Sequence, residues 1–312
     1  MDILKANPSA TFNPLLALTQ KTKHELRSSA ASLVVIQGDN IVLEWYNGFH
    51  HFKKGARPVT ADSMFNLYST RKTYIGLATA IAVTEGRIPL ETPVHQVVRD
   101  IPRSELGEVT IRDLATKSGA KYFGKDRMER EELAGKVIRA ITGKTIAQLL
   151  TERLFTPLEL NLTEWASSPK KELVCDFQAD GHYSSVRIES DEGHDRNLYT
   201  SALDLALWGY LHLKKGLIRG ERILPDEVFA LYAALQSSED AGKRLFGWYF
   251  QEDWYYATGA AGCHCVVYPE YNAVGVRMLN RYTDNYAADQ LTFNRTLLDC
   301  LKRSSAAGGA RG

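Results

Sequence analysis

Ser69 and Lys72 stand three residues apart in "FNLYSTRKTYIGLATAIAVTEGRIPLE", residues 65–91. A serine hydroxyl is a weak nucleophile until a base removes its proton. Residues three apart on a helix share a face, so this spacing brings the amine of Lys72 towards the hydroxyl of Ser69. Ser69 also opens the helical pattern. Unsatisfied backbone N–H groups and the positive end of the helix dipole there favour a developing oxyanion. The chemistry open to such a pair is attack on a carbonyl. A lysine serves as base only when neutral, which takes about 4–5 kcal/mol relative to an ordinary ammonium at pH 7. Burial against apolar neighbours, helped by an inward Arg71, would supply it. The same residues also read as a polar first turn with a solvent-facing lysine, and Ser-x-x-Lys alone is too short to decide.

The surrounding elements must position this pair. Residues 32–46, "SLVVIQGDNIVLEWY", are two β-rich runs around the turn Gly38-Asp39-Asn40, hence a hairpin. Helical periodicity runs from Ser69 to Gly86. Thr110 caps a helix broken at Gly119. Residues 129–142 form an amphipathic helix ended by Gly143. "TIAQLLTERLFTPLEL" is a second helix, stopped by Pro157. Residues 200–215 are a third, capped by Thr200 or Ser201, and "DEVFALYAAL" is a fourth. The following segment, "RLFGWYFQEDWYYATGAAGCHCVVYPEYNAVGVRMLNR", is aromatic and β-branched and reads as consecutive antiparallel strands.

Strands at both ends and helices between predict an α/β chain of the α+β type. Its antiparallel sheet is formed from both chain ends and flanked by helices, with a mainly helical second lobe. The expected organisation is a single domain over 1–303, with an α/β lobe of about 22–62 plus 216–303 and a helical lobe of about 63–215. Residues 304–312, rich in small residues, are expected to be disordered. The cleft between the lobes is the expected site.

Of the 312 residues 44% are hydrophobic and 24% charged, enough to bury a full core, and the formal net charge of +1 points away from nucleic acid and anionic membrane as partners. The first residues lack the basic and apolar regions of a secretory signal, and no run approaches the ~20 apolar residues of a span. A cytoplasmic location is the expectation. Cys263 and Cys265 share one face of a strand, with His264 on the other, and their spacing is not that of a zinc knuckle. No metal and no cofactor is expected, and the sequence sets no oligomeric state.

Four stretches in order give the chain a family resemblance. "MFNLYSTRKTYIGLATAIAVTEGRIPLETPV" resembles the nucleophile segment of the penicillin-recognising serine hydrolases, in the class C β-lactamase, esterase and linear-amide hydrolase branch. "VTIRDLATKSG", "ITGKTIAQLLTERLFTPLELNLTEW" and "RNLYTSALDLALWGYLHLKKG" resemble later segments of the same family, so the likeness spans roughly residues 30 to 300. It implies a β-lactamase/transpeptidase-like fold, with Ser69 as nucleophile and Lys72 as base. The family's third motif falls on Ala257-Thr258-Gly259. Thr258 and Gly259 would line the substrate, and the N–H of Ala260 would join that of Ser69 as the oxyanion hole.

Two departures shape the functional expectation. Ala257 stands where the family carries a basic residue that helps hold the substrate carboxylate, so the sequence leans towards a neutral small-molecule ester or amide and away from efficient penicillin hydrolysis. The second motif, Tyr-x-Asn, is absent near "KDRMER". Tyr122 is the nearest phenol, with Asp126, Glu129, Tyr199 and His264 as other proton-transfer groups. Trp254, with Trp248 and Tyr255, is expected to wall an apolar substrate pocket. The loop from Asp191 to Arg196 is expected to order the next helix or to rim the cleft. The implied function is a serine hydrolase or acyl transferase working through an acyl-enzyme. The alternative is a non-catalytic ligand-binding relative.

Overall fold

Ala30–Gln37 (β2), sequence AASLVVIQ, is buried along nearly its whole length. Such a strand must be covered on both faces. Leu33 and Val35 pack with Phe12, Leu15, Phe293 and Leu297 on one side. Val34 and Ile36 face a larger cluster with Trp208 and Ala206 on the other. The period of two thus sends alternate side chains into two different cores. The computed structural model describes residues 4–116, 121–237 and 244–309.

Among the described residues the main sheet has eight strands. Besides β2 these are Lys5–Ala6 (β1), Asn40–Gly48 (β3), Arg244–Leu245 (β4), Trp248–Phe250 (β5), Tyr255–Gly259 (β6), Cys263–Tyr268 (β7) and Ala273–Leu279 (β8). Their order is β1-β3-β2-β8-β7-β6-β5-β4. The N-terminal and C-terminal halves of the sheet meet at the β2–β8 pairing, where Val34 lies opposite Val276. Every pairing is antiparallel except the edge strand β1, which runs parallel to β3. The sheet from both chain ends is therefore observed, with one parallel edge.

Asn13–Glu25 (α1) and Tyr286–Gly309 (α6) cover one face, and Lys72–Glu85 (α2) and Ala202–Leu213 (α4) lie on the other side. The remaining helices include Arg130–Thr142 (α3) and Asp226–Gln236 (α5). Eleven consecutive residues of α2, Thr73 to Val83, are buried, so it is hydrophobic all round and is the central helix. Two features differ from expectation. First, α4 packs on β2, β7 and β8 as well as on α2, because Gly209 lets it lie against Val274 and Cys265 while Trp208 stacks on Tyr74. Second, α6 continues to Gly309 through much of the expected disordered tail, since alanine and serine prolong a helix already nucleated and docked; residues 310–312 lie outside the described residues.

The β4–β5 turn is wedged against the start of α2. A Cβ on Gly247, whose φ is +90°, would sit 2.3 Å from the backbone carbon of Lys72. Gly247→Ala is therefore expected to cost about 2–4 kcal/mol through strain and overlap. Thermal denaturation checks this, and an unchanged melting temperature would show that the turn is not seated on Lys72.

Candidate active site

The chain enters the site from the short strand Phe65–Asn66, passes through a 3-10 turn, Tyr68–Arg71, and continues as α2. The α-helix begins at Lys72, one turn later than the sequence pattern suggests. In a 3-10 turn residues three apart eclipse each other, so Ser69 and Lys72 stack along the turn, and the Lys72 N–H bonds the Ser69 carbonyl.

The turn is fixed from all sides. Asn66 accepts from the Tyr68 N–H at 2.8 Å and donates to the Arg196 carbonyl at 3.1 Å. The Thr70 hydroxyl donates to the Cys263 carbonyl at 3.0 Å. Thr73 accepts from the indole N–H of Trp208 at 3.0 Å. The buried Arg71 does turn inward: its Nε donates to the Asp195 carbonyl at 2.8 Å and its Nη1 to the Tyr68 carbonyl at 3.3 Å. The loop 191–196 therefore grips the Tyr68–Arg71 turn through Arg71. Tyr68 has φ +49°, the left-handed region, immediately before Ser69. This bend, which costs energy in a non-glycine residue, leaves Ser69 exposed while Leu67, Thr70 and Arg71 are buried.

Ser69, Lys72 and Ala260 line one cavity of about 370 Å³. Ala260 lies in the turn after β6, closed by Gly262 N–H to the Gly259 carbonyl at 2.9 Å. Its own carbonyl accepts from the Thr283 N–H at 2.8 Å. Gly259 is needed for a reason other than substrate approach. A Cβ there would lie 2.5 Å from the Leu67 carbonyl, so the protein's own serine turn occupies that side of the strand. This close contact sets Ala260 beside Ser69.

Thr258 also turns away from the expected role. It is buried, and its hydroxyl bonds His264 Nδ1 at 2.9 Å. His264 Nε2 bonds Asp289 at 2.9 Å, and Asp289 pairs with the buried Arg277. Burial, then the Arg277 charge, lowers His264 to about 4, so the imidazole is neutral. His264 is thus a satisfied strand histidine behind the third motif.

Trp254 lies elsewhere. It stacks on Tyr256 and Tyr268, and with Trp248 and Tyr255 it lines a separate cavity of about 250 Å³. These aromatics belong to the β5–β6 end of the sheet; the cavity at Ser69 is mainly polar. Tyr122 is not among the residues lining the Ser69 cavity. Its ring lies between Lys121 and Arg127, 4.8 and 4.5 Å from its centre, and a third of it is exposed. The Ser118-Gly119 of the "KSG" stretch lies outside the described residues.

The structure adds two carboxyls. Glu131, in the first turn of α3, places Oε1 3.1 Å from the amine of Lys72 and is 10% exposed. Burial works to raise its pKa, but the charges of Lys72 and Arg71 outweigh it and hold Glu131 at about 2. A sequence signal existed. Glu131, Ala134 and Ile138 fall on one helical stripe, so an acid sat on the buried face of an amphipathic helix. Asp176 lies in the cavity wall, buried beside Tyr68, Asn66 and Tyr199, and burial raises it to about 7. Its neighbours in sequence gave no such indication.

Asp176 carries a prediction. Its folded pKa exceeds the unfolded 3.8, so the carboxyl favours the fold at low pH, and this is lost as pH rises towards 7. Asp176→Asn is expected to be more stable than the parent at pH 8, by on the order of 4 kcal/mol, and nearly equal at pH 4. Thermal melts at the two pH values check it; a gap that does not widen with pH counts against a protonated Asp176.

The sheet order, with helices on both faces, is that of the β-lactamase/transpeptidase-like fold. The chain belongs to the Beta-lactamase family, whose model matches residues 15–298. It is 30% identical to an uncharacterized protein of Alkalihalophilus pseudofirmus, over 94% of this chain and 97% of that one. Among solved structures it resembles EstCE1, described as a hydrolase with promiscuous acyltransferase activity, with a TM-score of 0.72 at 13% identity over 91% of this chain and 98% of the other. It resembles SurE with a TM-score of 0.69 at 18% identity over 95% and 76%. These two likenesses establish the fold. Among the described residues no helix is long and apolar enough to cross a membrane.

Proposed function

We propose that the protein is a serine hydrolase or acyl transferase that acts on a small ester or amide through an acyl-enzyme on Ser69. The observation that carries this reading is the exposed Ser69 on a bent, immobilised turn, opening with Lys72 and Ala260 into one cavity. Lys72, in its neutral form, takes the Ser69 proton, and Ser69 Oγ bonds to the carbonyl carbon. The N–H groups of Ser69 and Ala260 stabilise the oxyanion. Lys72 returns the proton to the departing alkoxide or amine, and water or an acceptor then resolves the acyl-enzyme by the reverse steps. Glu131 holds the amine in place from the side away from solvent. With Tyr122 outside the cavity lining, Lys72 serves as both base and acid. The hydrolase and acyltransferase activities described for EstCE1 agree with this reading.

A second reading, a non-catalytic binding cavity, draws on the Lys72–Glu131 ion pair, because a paired ammonium is not a base. A fluorophosphonate probe with a reporter group separates the two. Stoichiometric labelling that disappears in Ser69→Ala supports the hydrolase. A folded protein that stays unlabelled at high probe concentration supports the binding protein.

A further inference from the structure

The absence of a basic residue at Ala257 argued for a neutral substrate, but the cavity itself is cationic. Among the described residues Arg71, Lys72, Lys121, Arg187 and Arg196 line it, against Glu129 and Asp176, an excess of three positive charges. None of these cations belongs to the third-motif strand.

Their partners decide how much charge remains. Lys72 is matched by Glu131 at 3.1 Å, Arg196 by Glu129 at 2.5 Å, and Arg187 by Glu189 at 3.2 Å. Arg71 is different. It is buried, and the hydrogen bonds described for its guanidinium run to the carbonyls of Tyr68, His194 and Asp195, which use its donors without cancelling its charge. Lys121 is exposed and rests over the Tyr122 ring. With Glu131, Glu129 and Glu189 each counted once against its partner, Arg71 and Lys121 are left over against Asp176, which is partly protonated near neutrality. The cavity keeps between one and two uncompensated positive charges. Arg187 and Arg196 are about half exposed, with side-chain values of 42% and 54%, so each has donors left for an incoming oxyanion.

We propose that the substrate carries a carboxylate or comparable anion, seated against Arg187, Arg196 and Lys121 while its carbonyl meets Ser69. The anchor comes from the loops of the helical side in place of the third-motif strand. This rests on the acyl-enzyme reading above, and the test separates the two. The Lys121 and Arg71 charges draw the anion in, and the arginine forks fix its orientation.

Two pairs of chromogenic esters make the test. The 4-nitrophenyl monoester of glutaric acid is compared with its methyl-capped diester, and 4-acetoxybenzoate with its methyl ester. At low salt, kcat/KM is expected to favour the anionic member of at least one pair tenfold or more. That preference is expected to shrink at least threefold at 0.5 M salt. In the double variant Arg187→Gln/Arg196→Gln the ratio of anionic to neutral rates is expected to fall at least fivefold. Equal or neutral-favouring rates in both pairs, or a ratio unmoved by the double variant, overturn the proposal. Calorimetric binding of glutarate monoester and diester to Ser69→Ala reads the same preference without turnover. An inactive, unlabelled parent that still prefers the anion therefore sinks the acyl-enzyme reading alone. A labelled, active enzyme without the preference sinks only the anion site.

Discussion

Ser69→Ala is expected to abolish fluorophosphonate labelling and to reduce ester turnover by at least about 10³-fold, while melting within about 1 °C of the parent. The two halves have separate physical grounds. The hydroxyl is exposed and no hydrogen bond from it is described, so its loss removes no buried contact and should move stability by less than about 0.5 kcal/mol. The turn is held by Asn66, Thr70, Thr73 and Arg71, and none of those bonds involves the Ser69 side chain. Chemistry through a covalent intermediate, by contrast, finds no second serine, threonine or cysteine among the described residues of the cavity wall. Whatever remains reflects the oxyanion donors and binding alone. Retained turnover at parental rates would place the reaction elsewhere; a large drop in melting temperature would show that Ser69 is a structural cap.

Much of this site was legible because its residues obey local rules. Ser69 and Lys72 are linked by helical spacing, and the all-apolar run after them marks a central helix. The hairpin of β2 and β3 announced itself by alternation around Gly38-Asp39-Asn40. The parts that sequence did not yield depend on contacts between distant segments. Glu131 lies some sixty residues from Lys72, and only the packing of α3 against α2 brings the carboxylate to the amine. Gly259 signals a close approach, but the approaching groups are the Leu67 carbonyl and the Tyr68 Cβ. Thr258 points towards the buried His264–Asp289–Arg277 chain. Trp254 reads as a pocket residue in the sequence because aromatics suggest pockets. The strand direction carries it to the far end of β6, away from Ala260. The cationic wall comes from residues at 71, 121, 187 and 196, which no single motif connects.

Lys72→Met is expected to lose activity at least about 10³-fold and, unlike Ser69→Ala, to lose stability as well. The methionine removes the only base placed beside Ser69 in the mechanism proposed here. It also strips the counter-charge from Glu131, a carboxylate 10% exposed. Breaking such a pair from one side typically costs about 3–5 kcal/mol, because the remaining charge is left buried. Acid titration gives the sign. In the parent, Glu131 is held at about 2, below the unfolded value of 4.5. It therefore contributes stability above about pH 4.5, and this is lost as pH falls through 2. In Lys72→Met the Lys72 attraction is gone and burial acts to raise the carboxyl, so the variant should be weakest at neutral pH and approach the parent near pH 3. Adding Glu131→Gln to Lys72→Met should recover most of the neutral-pH stability and none of the activity. Thermal melts at pH 3, 5 and 7 and ester assays on parent, single and double variants measure all of this together. If Lys72→Met matches the parent in stability at pH 7, the ion pair carries no weight in the fold. If it retains turnover, a different group accepts the serine proton.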